Sequence, residues 1–366
     1  MPRVSSTPSV PGVHVARSPG RAWFRVSRPP VSGMVRPRLV LVWLVLAAAA
    51  FGAFCVTIAF GSGDFPVPPA DVVPALWGSG DFATLFAVRE LRLPRAMVAL
   101  LCGLAFGAAG AIFQSVTRNP LASPDMLGIT QGAGAAVAAG LVLGVGGGLS
   151  TQSLGLIGAL AAGLAMYLLA WNRGTTGYRI VLVGIGISWM CTSLTAYLVS
   201  RTETYQAQKI LGWIVGNLND RGWPQARPLA LALLVLLPAV LLLGRLQRTL
   251  LLGDEVAGGL GTPVQRTRLA LLLCGSALAA FATAAAGPVL FVALAAPQIA
   301  QRLARTPAPP VTAAALTGAA IVLVSDLISQ RLLSDMVLPV GVVTGVLGAP
   351  FLLWQLARTN RAGSGG

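Results

Sequence analysis

Side chains able to do chemistry are scarce in this chain, and the scarcity decides a good deal. Its 366 residues include one histidine, His14, and one lysine, Lys209. No glycine-rich run ends in Gly-Lys-Ser or Gly-Lys-Thr, so nothing here cradles a nucleotide phosphate in the Walker manner. A lone histidine offers no imidazole metal or acid–base site. The 4 cysteines, Cys55, Cys102, Cys191 and Cys274, stand far apart and form no Cys-x-x-Cys. Each lies in an apolar run, where the role of a small buried residue fits it. Asp326 is the main acid inside such a run. Charge within lipid is costly and marks ion pathways, so its near-isolation argues against a carrier driven by a proton or sodium gradient.

Other polar side chains gather in short segments between apolar runs. The first, "RNPLASPDMLG", covers residues 118–128. Pro120 and Pro124 stop a helix. Asn119 and Ser123 can bond the backbone groups so freed, and Asp125 can cap or favourably charge the next helix. The second, "TLLLGDEVAGGLGTPVQR", covers residues 249–266. Asp254 suits the cap of a short helix, Glu255 its positive end and Gly261 its C′ position. Such a helix has only about two turns and needs packing to persist. It serves either as an elbow or as a knob that docks into a partner, and its residues alone leave both open.

The elements that must position these segments are membrane spans. The chain is 55% hydrophobic and only 10% charged, whereas soluble domains carry about one quarter charged residues. About ten spans are expected, near 39–60, 94–116, 127–147, 152–171, 179–200, 228–247, 267–286, 288–304, 311–331 and 338–357. This predicts an all-α polytopic membrane protein. The net charge of +15 does not indicate nucleic acid. Much of it lies in the first 38 residues (Arg3, Arg17, Arg21, Arg25, Arg28, Arg36, Arg38) and in short loops, where arginine fixes topology.

The loops alternate in character. Those with Arg118, Arg173 and Arg179, Arg245 to Arg268, Arg302 and Arg305, and Arg358 with Arg361 group with the N-terminal tail. The positive-inside rule puts that set and both termini in the cytoplasm. Residues 1–37, rich in Pro, Ser and Arg, read as a disordered cytoplasmic tail, 38–358 as the membrane domain and 359–366 as a C-terminal tail. Met34, just before the first span, is an alternative start to Met1. The Gly-x-x-x-Gly pairs Gly103/Gly107, Gly128/Gly132 and Gly140/Gly144 predict close helix packing within the chain.

With these residues in view, the chain resembles a known family. Leu252-Gly253, Ala257 and Leu260-Gly261 resemble the coupling-helix segment of the FecCD family, permease subunits of ABC importers for iron-siderophores, haem and cobalamin. "LRLPR" at 91–95, Gln114 with "RNPLASPDMLG", "GPVLFVALAAPQIAQRL" at 287–303 and "LPVGVVTGVLGAPF" at 338–351 resemble further family segments in the same order. The resemblance covers roughly residues 38–358.

It implies a type II ABC importer permease fold that is not itself an enzyme, holds no metal and needs no cofactor of its own. Two partner ATPase subunits would bind ATP and Mg. Leu252, Gly253, Asp254, Glu255, Ala257, Leu260 and Gly261 would couple to them. Arg118, Asn119, Pro120 and Asp125 would belong to the floor facing the ATPases, with a purely structural turn as the alternative. The family's inner gate aligns with Gly177 and Tyr178, with Thr175 and Thr176 close by. Arg92, Arg95 and Arg331 lie on the outer side against the positive-inside bias. The resemblance implies that they dock the acidic lobes of a substrate-binding lipoprotein or periplasmic protein; contact with lipid headgroups is the alternative.

The chain also departs from the family. Pro-His is Pro297-Gln298, the following Arg is Gln301, and a motif glycine is Ala293. These changes, with "SPDMLG" and "TQGAG", resemble the second permease of ferric-enterobactin-type importers. That branch implies a heterodimer with another permease and a catecholate-type siderophore. The expected function is therefore ATP-driven import of a ferric siderophore across the bacterial inner membrane. Cobalamin or haem is the alternative cargo, and an ion-coupled secondary transporter the alternative class.

Overall fold

The computed structural model describes residues 5–6, 13–18, 21–26, 31–61, 67–144, 149–171, 174–331 and 338–363, with side chains described between Arg36 and Gln355. Ahead of the membrane domain, β1 (Ser5–Ser6), β2 (Val13–Ser18), β3 (Arg21–Val26) and β4 (Val31–Val35) pair in sequence order as an antiparallel meander. This backbone pairing differs from the expectation of a tail without regular structure. Val13 and Val15, then Phe24 and Val26, alternate in a way that favours a ladder; the prolines and arginines around them obscured that pattern.

From Pro37 the chain is helical. In order it forms α1 (Pro37–Phe60), α2 (Pro69–Leu76), α3 (Phe82–Phe86) and a π-helical turn (Ala87–Arg92) that runs into α4 (Leu93–Thr117). Then come α5 (Ile129–Leu143), α6 (Thr151–Ala170), α7 (Gly177–Ser200), α8 (Thr204–Ile214), α9 (Trp223–Leu250) and α10 (Asp254–Gly259). The last four are α11 (Val264–Ala286), α12 (Val292–Ala304), α13 (Val311–Arg331) and α14 (Val340–Gly363).

Every expected span is met by a helix: α1, α4 to α7, α9 and α11 to α14. Among the described residues, 7 helical runs are long and apolar enough to cross a bilayer alone. α12 is not one of these. Its 13 residues rise about 20 Å, short of the hydrocarbon core of about 30 Å. Gly287 (φ 78°) and Phe291 (φ 64°) break the chain before it. Irregular backbone survives in a membrane only where protein covers it, and residues 286–289 are buried.

α4 is the axis of the bundle, buried almost throughout and flanked by α13, α11, α12 and α9. Its glycines permit this. A Cβ on Gly103 would lie 2.5 Å from Gly318 O, one on Gly107 2.2 Å from Ala314 O, and one on Gly110 1.8 Å from Ala293 O. The small-residue spacing thus serves packing within the chain. Gln114, Gln298 and Gln355, on α4, α12 and α14, are buried in a hydrogen-bonded series. Gln298 Nε2 donates to Gln114 Oε1 (2.6 Å) and Gln355 Nε2 to Gln298 Oε1 (3.1 Å). Cys55 departs from expectation: it is exposed on the peripheral α1, while Cys102 is buried. The end of the bundle where α4 stops at Thr117 is termed proximal below, and the end where it starts distal.

Candidate functional site

At the proximal end α9 turns into α10 through Gly253, whose φ of 103° suits glycine. α10 closes with a Schellman motif: Thr262 N–H donates to Ala257 O (3.0 Å) and Gly261 N–H to Gly258 O (2.9 Å). Gly261, at φ 80°, holds the C′ position expected of it. Asp254 does not cap the helix. Gly253 occupies the N-cap, Asp254 is the first helical residue, and its carboxylate turns to two arginines. Ala257 is buried against the bundle, whereas Leu252, Val256 and Leu260 are 59%, 52% and 62% exposed. Val256 and Leu260, four apart, share one outward side of α10, and Leu252 lies just ahead of the helix, before the Gly253 turn. Sequence reasoning missed Val256, although that spacing was readable.

The carboxylate of Asp254 joins two other proximal segments. Arg118 Nη2 reaches Oδ1 at 2.8 Å from the 118–128 loop. Arg268 Nη2, in the second turn of α11, reaches Oδ1 at 2.8 Å and Oδ2 at 2.9 Å. Arg268 Nη1 also donates to Thr175 O. Gln265 accepts from Thr175 N–H at 2.9 Å and from its hydroxyl at 3.2 Å. Thr175 is fully buried under these contacts. Of the four gate candidates it alone enters this network. Thr176 caps α7 by accepting from Arg179 N–H (3.5 Å). Gly177 lets α7 approach α4, since a Cβ there would lie 2.8 Å from Thr117 O. Tyr178 is exposed, on an open side of α7 that also carries Leu182, Trp189 and Met190. Arg268 and Gln265 had no local sequence signal.

The 118–128 loop ends α4 at Arg118, in the left-handed region (φ 53°). Asn119 Oδ1 accepts from Leu121 N–H (2.9 Å) and Ser123 Oγ from Met126 N–H (3.5 Å), as their types suggested. Pro120 is exposed. Asp125 does not cap α5; Gly128 does, at φ 83°. Asp125 Oδ1 is buried without a partner among the described residues. Burial raises this carboxyl to about 6, against the opposing effect of the Thr130 hydroxyl.

At the distal end the three arginines expected at a docking surface are committed inside the chain. Arg92 is buried, and its Nη1 donates to Ile58 O (3.3 Å) and Ala59 O (3.2 Å). Arg331 donates to Phe60 O. Both satisfy carbonyls that the end of α1 leaves unpaired. Arg95 pairs with the fully buried Asp326 (2.8 Å), which also accepts from Gln330 Nε2 (2.6 Å). Asp326 is therefore neutralised in place. Arg92 and Arg95 reach the distal side only as part of the wall of a cavity of about 280 Å³, shared with Glu90, Asp220 and Arg221.

The described residues thus form a multi-span helical membrane bundle with an exposed, capped helix at one end, tied to buried loops. The chain belongs to the FecCD transport family, whose sequence model matches residues 49–358. It is similar to the ferric enterobactin transport system permease protein FepG of Escherichia coli (strain K12): 38% identical over 331 residues, covering 89% of this chain and 98% of that one. It is 37% identical to the achromobactin transport system permease protein CbrC of Dickeya dadantii (strain 3937), covering 89% and 91%. It is 33% identical to the vitamin B12 import system permease protein BtuC of Serratia proteamaculans (strain 568), covering 78% and 86%. Among solved structures, an inward-facing ABC transporter of metal-chelate type shares the fold, with a TM-score of 0.73 at 21% identity over 87% of this chain and 99% of that one.

Proposed function

We propose that this chain is the permease subunit of an ABC importer that carries a ferric siderophore across the bacterial inner membrane. Two relatives named for ferric enterobactin and achromobactin transport support the cargo class. The observation that carries the mechanism is the exposed set Leu252, Val256 and Leu260, on and just ahead of a helix whose inner side is fixed to the bundle. An elbow would bury such residues; a knob offers them to a groove in a partner. That partner is one of two ATPase subunits, which bind ATP and Mg. The chain itself catalyses nothing and holds no cofactor or metal.

On this reading the proximal end and both termini are cytoplasmic, in keeping with Arg118, Arg179, Arg245, Arg248, Arg302 and Arg305. A second, non-identical FecCD-type permease covers the open side of α7, and lipid covers the periphery. A substrate-binding lipoprotein or periplasmic protein delivers its load at the distal end. There Arg331 and the cavity wall formed by Arg92 and Arg95 steer its acidic lobes.

The test is uptake of a ferric catecholate siderophore into vesicles holding the whole importer. Leu260→Arg should insert normally, bind the ATPases poorly and abolish uptake. Unchanged uptake in that variant, or uptake in vesicles without ATPases, would refute the reading. The vitamin B12 relative keeps cobalamin as second cargo. Growth of a deletion strain on iron-loaded siderophores, haem and cobalamin discriminates between them.

A further inference from the structure

We propose that Arg268 is the positioning residue through which α10 sets the place of the Thr175 loop. The inference rests on the coupling role given to α10 above. Among the described residues, the polar side-chain ties of α10 itself are those of Asp254, to Arg118 and Arg268. Thr175, just before α7, is held by Gln265 and Arg268 of α11. One side chain is common to both sets.

The chemistry of a guanidinium makes that sharing mechanical. Its N–H groups are fixed in one plane, so the donors to Asp254 and to Thr175 cannot move independently. Nη2 spans the carboxylate at 2.8 and 2.9 Å while Nη1 holds Thr175 O. The side chain is 1% exposed and has no room to escape into solvent. A shift of Asp254 therefore rotates the plane and drags or releases Thr175.

A second observation supplies the other state. Arg268 Nε is buried without a partner among the described residues, and an unmade buried bond is costly. If α10 moves so that the carboxylate slides to the Nε–Nη2 edge, Nε gains its bond in a side-on pair. Nη1 then turns away from Thr175 O. The arginine thus has two arrangements, one leaving Nε and the other Nη1 without its bond, that differ in whether the Thr175 loop is held, and such a two-state element is what coupling requires. Arg118 reaches the same carboxylate but, among the described residues, makes no hydrogen bond to the Thr175 loop, so it steadies α10 without relaying its motion.

The experiment uses the complete importer in proteoliposomes and reads ferric siderophore imported per ATP hydrolysed. Arg268→Lys keeps a cation beside Asp254, but a single ammonium cannot hold both partners in one plane. The expected result is a several-fold fall in import per ATP, with the ATPases still bound. An unchanged ratio overturns the relay. So does loss of the ATPases from an otherwise folded complex, because the arginine would then only hold the fold. Should Arg268→Lys not fold, Asp254→Asn, which removes the charge both arginines hold, decides by the same ratio. Leu260→Arg runs in parallel. If it imports normally, the coupling role of α10 falls and the relay with it; if it is uncoupled while Arg268→Lys keeps the wild-type ratio, the relay alone falls.

Discussion

Arg268 and Arg118 hold one carboxylate, that of Asp254, at the same 2.8 Å, yet Arg268 is 1% exposed and Arg118 45% exposed. Exposed ion pairs contribute about 0–1 kcal/mol. A buried guanidinium also donates to a buried carbonyl, Thr175 O, whose other donor, Gln265 Nε2, stands at 3.5 Å. Removing it should cost about 2–4 kcal/mol. We expect Arg118→Ala to leave the thermal midpoint of the detergent-purified protein nearly unchanged and Arg268→Ala to lower it clearly. Equal shifts would show that burial does not govern this pair of contacts.

The approach of α4 to α13 and α12 makes a second contrast. Gly107→Ala would force a methyl to within 2.2 Å of Ala314 O, and Gly110→Ala to within 1.8 Å of Ala293 O. Backbone cannot yield cheaply there, so each should cost about 1–3 kcal/mol or more. A Cβ on Gly244, in α9, would meet nothing within 4 Å among the described residues beyond its own stretch of helix. Gly244→Ala should be neutral or stabilising by up to about 1 kcal/mol. The check is yield and thermal midpoint of the three variants side by side. A tolerated Gly110→Ala would mean that α4 and α12 are further apart than described.

How much of this was legible follows from how local each feature is. The spans were readable because apolar length is a local signal, and α10 because Gly261 supplies its C′ turn within a few residues. Asn119 and Ser123 were read correctly for the same reason: their bonds span two and three residues. The bonds that the distal arginines make within the chain were not legible, because their acceptors lie 34 residues away for Arg92, 231 for Arg95 and 271 for Arg331. A surface arginine and one that caps a distant helix end look alike in sequence. The same holds for Arg268, which counted only as one more positive charge on its side. Gln298 stood out as a departure, but its reason, the bonds to Gln114 and Gln355, needed three helices in place. Asp254 and Asp125 were assigned to caps by type, yet glycines at positive φ took both positions.

Asp125 gives a pH prediction with a definite sign. Its carboxyl is raised from 3.8 to about 6 by burial. The folded protein therefore holds a proton that the unfolded chain releases, and stability falls as pH rises through that window. Lowering pH from about 7 to about 5 should raise the thermal midpoint through this group. Asp125→Asn should raise it at neutral pH and flatten the dependence. If the variant keeps the slope of the native protein, Asp125 is not its source.

The Arg95–Asp326 pair separates a structural charge from a transported one. Asp326 is fully buried in α13 and satisfied by Arg95 and Gln330. Removing one member strands the other, at a cost of about 3–5 kcal/mol. Replacing both by apolar residues of similar size removes that penalty, and buried pairs so replaced are often no less stable. Asp326→Ala and Arg95→Ala should thus each destabilise, while the double variant Arg95→Met with Asp326→Leu should recover most of the loss, as a double-mutant cycle in detergent would show. An ion-coupled carrier needs this acid to load and release a proton or sodium ion. In the recovered double variant, loss of Arg95 should weaken docking of the binding protein and lower uptake of ferric siderophore, but the ATP-driven uptake that remains should stay insensitive to a collapsed proton gradient. Uptake by the native protein that falls when the proton gradient is collapsed, with that sensitivity lost in the well-folded double variant, would make Asp326 part of an ion path and revive the carrier reading.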